Sequence, residues 1–407
     1  MTYAADLVER EPGFVPRFNF DILVLAALIG GPTLMATIFG AQSMQYFGVL
    51  VLALPFAVFR IVQPYPNIKG SVLALIAFAL LPMLLAGLQA GNVRYGFEPP
   101  NFLFAGAISA TIIAGLFGAH LSDRDFRSGM HLIALIHCGY CIFGLAQPAE
   151  LSQEGARFSA GGIGVQIWGE LGVATVAAAV LSGKKHIIVI AALLALPVVV
   201  MTQARGPTMA ALLVLIIYIN SLVPLRFSIW IWLLLMPAFV VIQQFGSEIL
   251  DTLSALLLLD DPYRGVSSGF SGRFENWQTG WEAFARSPLI GSSIGDPVVR
   301  YTHNGFIMAF AELGIVGGGL FLVGMLAAVA IALVKGKWDI LAALAGYFFF
   351  IMSTPRYLNF SSVIVIGVIC ALRMLAPDAR RDPSSELQRG PRARAYSQQA
   401  HARQRFR

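Results

Sequence analysis

One histidine and a set of arginines are the residues best suited to chemistry. His303 stands beside Asn304 at the start of a long apolar stretch. An imidazole titrates near neutrality without help, so it can take a proton from a hydroxyl. Arg157, Arg205, Arg273 and Arg356 stand at the ends of different apolar stretches. A guanidinium is always charged and offers a planar fork of donors that matches phosphate oxygens. Taken singly, each arginine reads as a snorkelling or salt-bridged interfacial residue, and a boundary histidine as a structural hydrogen-bonder. Taken together on one face, they point to an anionic ligand. A base near neutrality can take a proton from a hydroxyl, and clustered arginines can stabilise charge that develops on an anionic group.

Other motifs carry less. Asp123-Arg124-Asp125 has the DxD form of nucleotide-sugar transferases, but it falls in a short inner loop beside Arg127. Cys138 and Cys141 form CxxC inside an apolar span, where packed, reduced thiols are the default. Asp260 and Asp261 are adjacent and cannot both face one ion, so no metal site is expected, and no cofactor is called for. No GxxxxGK[ST] occurs, which argues against ATP hydrolysis.

The elements that position these residues are membrane spans. The chain has 407 residues, 57% hydrophobic and 12% charged, with a mean hydropathy of +0.73, against about 25% charged in soluble domains. Charge-free runs such as 71–88 approach the ~20 residues that cross a bilayer. The fold class is all-α, a polytopic transmembrane bundle of about twelve spans, near 21–39, 44–62, 70–90, 102–122, 130–147, 161–182, 187–203, 207–223, 227–245, 304–334, 338–353 and 360–376.

Placing both termini in the cytoplasm puts 20 of the 28 Lys and Arg inside, including all five Lys, as the positive-inside bias requires. The eight left outside are all Arg, the four above among them. Three regions follow: a cytoplasmic segment 1–20, a transmembrane domain 21–376, and a basic tail 377–407 with eight Arg against three acids. Such a tail reads as a solvated, disordered end near anionic membrane lipids, not as a nucleic-acid binder. One outer, periplasmic loop, about 246–303, is long enough to be functional. In it Phe274, Trp277, Trp281 and Phe284 recur at helical spacing between polar residues, an amphipathic helix lying on the membrane or on neighbouring spans.

Eleven residues separate His303 from Gly314, and at about 100° per residue they return to one helix face. On that geometry His303 and Gly314 share a face, and Gly314, Gly317, Gly318 and Gly319 let another helix approach and fix the histidine. Glu312 lies half a turn round and reads as a helix-packing polar group rather than a partner of His303.

The pattern HN-x9-G-x-x-G from His303 to Gly317, with SGRFENW at Ser271–Trp277, PLIGSSIG at Pro288–Gly295 and ARG at Ala204–Gly206, resembles the O-antigen ligase and polysaccharide polymerase superfamily of bacterial cell envelopes. That resemblance implies an integral inner-membrane enzyme with its site facing the periplasm. It would be an inverting, metal-independent glycosyltransferase that takes a glycan from undecaprenyl diphosphate. The implied acceptor is a lipid A core or a second lipid-linked glycan, and the implied partners include other polysaccharide export proteins. His303 matches the family's catalytic histidine, and Arg157, Arg205 and Arg273 its loop arginines; Asn304 and Arg356 join them as substrate-binding candidates. One departure falls on Arg157, which precedes Gly169 by eleven intervening residues instead of ten and lacks the usual Asn-Pro-Asn after it. The competing reading is a transporter or flippase for an anionic or lipid-linked saccharide. It would call for charges or broken helices near the bilayer midplane, where this chain offers chiefly Glu170 and Glu312.

Overall fold

Apolar runs bounded by Gly, Pro and charged residues fold as helices because, away from water, only intrasegment hydrogen bonding satisfies the backbone. The computed structural model describes residues 19–39, 46–62, 70–89, 100–146, 150–151, 158–159, 165–202, 204–223, 269–296, 299–354, 357–358 and 361–375. Among them run twelve helices: α1 (Phe20–Phe39), α2 (Tyr46–Val62), α3 (Gly70–Gln89), α4 (Pro100–His120), α5 (Asp123–Ala146), α6 (Val165–Ser182), α7 (Lys185–Met201), α8 (Arg205–Leu222), α9 (Gly269–Arg286), α10 (Gly305–Val334), α11 (Trp338–Met352) and α12 (Ser362–Leu375). By length and apolar composition α5, α8 and α10 are long enough to cross a membrane. Eleven of the twelve fall on predicted windows, and α9 is the amphipathic helix of the long loop. The ninth predicted window and residues 246–268 of that loop lie outside the described residues. A two-residue pairing, β1 (Glu150–Leu151) antiparallel to β2 (Phe158–Ser159), joins α5 to α6.

The helices meet through small residues. A Cβ on Gly172 would strike Val199, one on Gly346 would strike Val214, and one on Gly367 would strike the Tyr347 ring. Such close approaches suit helices surrounded by lipid, whose tails are as apolar as leucine and give no hydrophobic drive to association.

Asp123-Arg124-Asp125 is not a loop. It is the first turn of α5, seven residues ahead of the predicted start. Ser122 caps that turn, its Oγ accepting from the Asp125 amide (3.1 Å). Both acids have structural partners: Asp123 takes the Arg373 guanidinium, and Asp125 accepts from Ser122 Oγ (2.7 Å) and Asn19 Nδ2 (2.9 Å). At the same end of the bundle Arg60 pairs with Asp21, and Arg127 lies 3.8 Å from Asp339. This end gathers the starts of α1, α5 and α11 and the ends of α2, α4 and α12. α9 and the start of α10 stand at the other.

Candidate functional site

The predicted tenth span is two helices. Gly314 has φ 66° and ψ −168° inside α10, a conformation open essentially to glycine alone. The helix therefore divides into a nine-residue half, 305–313, and a twenty-residue half, 315–334. The latter is ~30 Å long at 1.5 Å per residue, a bilayer's thickness by itself. His303 and Gly314 accordingly do not share a helical face, because His303 precedes the helix and Gly314 interrupts it.

Breaking a helix frees backbone groups that must be satisfied elsewhere. Residues 287–295, which contain the PLIGSSIG motif, do this as a strap laid across the break. The Ile315 amide donates to the Pro288 carbonyl (2.7 Å) and the Val316 amide to that of Leu289 (3.3 Å). The Ser292 amide (2.7 Å) and its Oγ (3.0 Å) both donate to the Ala311 carbonyl. The two backbones cross so closely that a Cβ on Gly314 would collide with the Leu289 carbonyl, and one on Gly291 with that of Glu312. What approaches Gly314 is thus a loop backbone, not the neighbouring helix expected from the sequence.

Three polar side chains lock the crossing from outside the strap. Gln89, fully buried at the end of α3, donates through Nε2 to the carbonyls of Ile290 and Glu312 (2.7 Å each) and accepts through Oε1 from the Ile294 amide (2.9 Å). Glu312 is also buried; its Oε1 accepts from the Gly295 amide (2.9 Å) and its Oε2 from the Tyr357 hydroxyl (2.7 Å). Tyr357 in turn accepts at its carbonyl from the Tyr347 hydroxyl (2.5 Å). Glu312 is the packing group expected of it. Gln89 was not singled out from the sequence; the available signal was a lone amide in the last turn of an apolar span.

The short half of α10 carries the histidine. Asn304 is its N-cap, with Oδ1 accepting from the amides of Phe306 (3.0 Å) and Ile307 (3.2 Å), the pairing that an asparagine cap supplies. His303, just before the cap, has φ +47°, a left-handed conformation in which histidine is enriched among non-glycine residues. α9 runs beside this half in the same direction. Gly280 seats against Thr302 and Ile307 with no room for a Cβ. The Trp281 and Phe284 rings pack on Phe310, with centroids 6.3 and 5.9 Å apart. The aromatic row thus grips α10 at its lower end and stays exposed at Phe274, which is 55% accessible. Trp277 lies one turn from Arg273, its indole N–H buried and without a partner among the described residues.

This packing brings Arg273 and His303 together. Burial pushes the His303 imidazole below the ordinary histidine value, and the Arg273 guanidinium pushes it further the same way. At neutral pH the ring is therefore uncharged and has a nitrogen lone pair free to accept a proton. Arg205 is the first residue of α8, and its neighbour Gly206 is pressed against the Ser353 side chain at the end of α11. It stands on the same end of the bundle, where Arg273 is the charge that lowers the His303 pKa. Arg157 and Arg356 lie outside the described residues; their chain neighbours Phe158 and Tyr357 are in β2 and against Glu312. Among the described residues no group of three or more His, Cys, Asp or Glu could hold a metal ion.

Residues 190–322 match the family model described as O-antigen ligase. Over that segment the chain is similar to the O-antigen ligase family, which supports the resemblance to the O-antigen ligase and polymerase superfamily. No curated protein matches it. The ligase-family segment takes in Arg205, Arg273, His303, Asn304, the strap and the Gly314 break, while Arg157, Arg356, Gln89 and Tyr357 fall outside it. The family's activity is of glycosyltransferase type, on lipid-linked glycans and their acceptors, and with the apolar helices it marks a multi-pass membrane protein.

Proposed function

We propose that this protein transfers a glycan from undecaprenyl diphosphate to an acceptor hydroxyl, with His303 as general base and Arg205, Arg273 and Arg157 holding the diphosphate. The observation that carries this reading is the pairing of a neutral, half-buried imidazole with an arginine at the end of the bundle where the family's motifs converge. His303 takes the acceptor's proton as the hydroxyl oxygen attacks the anomeric carbon from the face opposite the diphosphate. The bond between that carbon and the diphosphate oxygen breaks, the diphosphate keeps the electron pair, and the configuration inverts. The arginines stabilise the charge that develops on the leaving oxygens, and no metal is needed for that task. Arg356 and the amide nitrogen of Asn304, whose oxygen already caps α10, add donors for the glycan. In this reading residues 21–376 form one transmembrane unit of the inner membrane. The site faces the periplasm, and both termini, including the tail 377–407, are cytoplasmic. The acceptor is a lipid A core for a ligase or a second lipid-linked glycan for a polymerase.

The Gly314 break is the feature that favours a transporter, since broken helices expose backbone groups to a solute. Here the strap and Gln89 occupy the freed groups, which leaves the transport reading without a binding site at the break. The deciding experiment is glycan profiling in a deletion strain complemented with His303→Ala. Loss of product with normal expression is the expected outcome, and near-normal product removes His303 from the base role.

A further inference from the structure

We infer that Glu312, helped by Gln89 and Tyr357, is a positioning residue that sets where His303 stands against Arg273. α9 and the short half of α10 run side by side toward the strap, and both are fixed at that lower end. The strap continues directly from α9, with the Ser287 amide donating to the Phe284 carbonyl (3.1 Å) and the Gly291 amide to that of Ser287 (2.9 Å). The short half ends at Gly314 beneath the same strap. Arg273 and His303 are carried at the far ends of these two rods, about 15–20 Å from the crossing at 1.5 Å per residue. A change of angle at the crossing is therefore magnified into a displacement at the site. Glu312 joins the two sides of the crossing. Its own backbone belongs to the short half, its Oε1 holds the strap at Gly295, and its Oε2 holds Tyr357 beyond α11. Gln89 repeats the tie from α3. In this clamp the hydrogen bonds of Gln89 and Glu312 end on the strap, the short half and Tyr357. The charge that lowers the His303 pKa is that of Arg273 on α9, while Glu312, near the end of the short half that follows His303, bonds to Gly295 and Tyr357.

The proposal rests on the functional reading only for its kinetic consequence, so the test reads geometry separately. Purified full-length protein is treated with diethyl pyrocarbonate across pH, and acylation at His303 is followed by peptide mass spectrometry; the reagent takes the neutral ring, so the midpoint reports its titration. In wild type the midpoint lies below the ordinary histidine value. Glu312→Ala should raise it toward that value as His303 moves away from Arg273, and Tyr357→Phe should raise it less. Glu312→Gln should hold it, because its amide oxygen still accepts from Gly295 and its nitrogen can donate to the Tyr357 oxygen. In transfer assays kcat should fall about 10- to 100-fold in Glu312→Ala with little change in KM, as a displaced catalytic group implies, and Glu312→Gln should retain most activity. Should Glu312→Ala not fold, Tyr357→Phe carries the test alone. A midpoint unmoved in both variants, or moved equally by Glu312→Gln, overturns the positioning role. If wild type transfers no glycan, the functional reading fails, and the clamp is judged on the midpoint.

Discussion

The two ends of the bundle are held together by different means. At the end where α1, α5 and α11 begin, charges join helices: Arg60 to Asp21, Arg127 to Asp339, and Arg373 to Asp123. Arg373 is the most buried of these cations. Besides Asp123 it donates to the carbonyls of Gly118 (3.1 Å) and Leu121 (2.9 Å), and it lies 4.2 Å above the Phe126 ring. At the other end the joining is done by backbone amides, a buried amide side chain and a tyrosine around Glu312. The neighbouring cations Arg205 and Arg273 and the uncharged His303 belong to that end. In the proposed function Arg205 and Arg273 act on a ligand, so replacing them should cost transfer, while replacing the charges of the first end should cost stability. The two ends should therefore respond oppositely when stability and transfer are measured on the same variants.

The largest expected effect is at His303. Replacing it with Ala should lower transfer by about 10²- to 10⁴-fold, the range of a lost general base. Expression and membrane insertion should hold, since the residue is half-buried at a helix boundary and its removal opens no core cavity. Purified transfer rate beside the yield of monodisperse protein checks both halves of this.

Next are the arginines at the same end. Lys in place of Arg205 or Arg273 keeps the charge and loses the fork, forfeiting a charge-assisted bond of about 1.5–3 kcal/mol, or roughly 10- to 150-fold in transfer at about 1.4 kcal/mol per tenfold. Transfer within about twofold of wild type would make them interfacial anchors, for which Lys serves as well as Arg. At Arg273 a further sign follows. Its field lowers the His303 pKa, so removing the charge with Arg273→Gln lets that pKa rise. The acid limb of the kcat/KM profile then moves to higher pH, and more activity is lost just below neutrality. An acid limb that stays in place or moves lower contradicts the pairing.

The opposite end should show the reverse. Arg373→Ala leaves the carbonyls of Gly118 and Leu121 without this donor and should cost stability by about 1–3 kcal/mol, the penalty of an unsatisfied buried acceptor. Asp123→Ala should cost less, because its side chain is 81% accessible and Arg373 keeps its two carbonyl acceptors. For both, transfer per folded molecule should match wild type, as detergent-melting curves and single-turnover rates on the same preparations would show.

Much of the framework was legible in the sequence, because apolar runs in a chain this poor in charge have few other conformations open to them. Residue type and motif made His303 and Arg273 candidates, but nothing in the spacing shows that α9 runs beside the start of α10 and brings the two together. The start of α5 was misplaced because Asp123, Arg124 and Asp125 look like loop residues until Ser122 and Arg373 are seen to use them. The break in α10 was hidden for a comparable reason. Thirty apolar residues contain no local stop, and helical arithmetic carried straight through Gly314. What permits the break is a strap ending some twenty residues earlier and an amide 223 residues away. Those partners are tertiary, and no window of sequence contains them.

The most direct test of the central claim is transfer in vitro by purified protein, with a defined undecaprenyl-diphosphate glycan and its acceptor, in EDTA, comparing wild type with His303→Ala. Product from wild type in EDTA, with inverted configuration at the new linkage, and its loss in His303→Ala is the predicted result. Wild-type activity that vanishes in EDTA would contradict a diphosphate cradle built of arginine alone, and equal product from the two proteins would contradict His303 as the base.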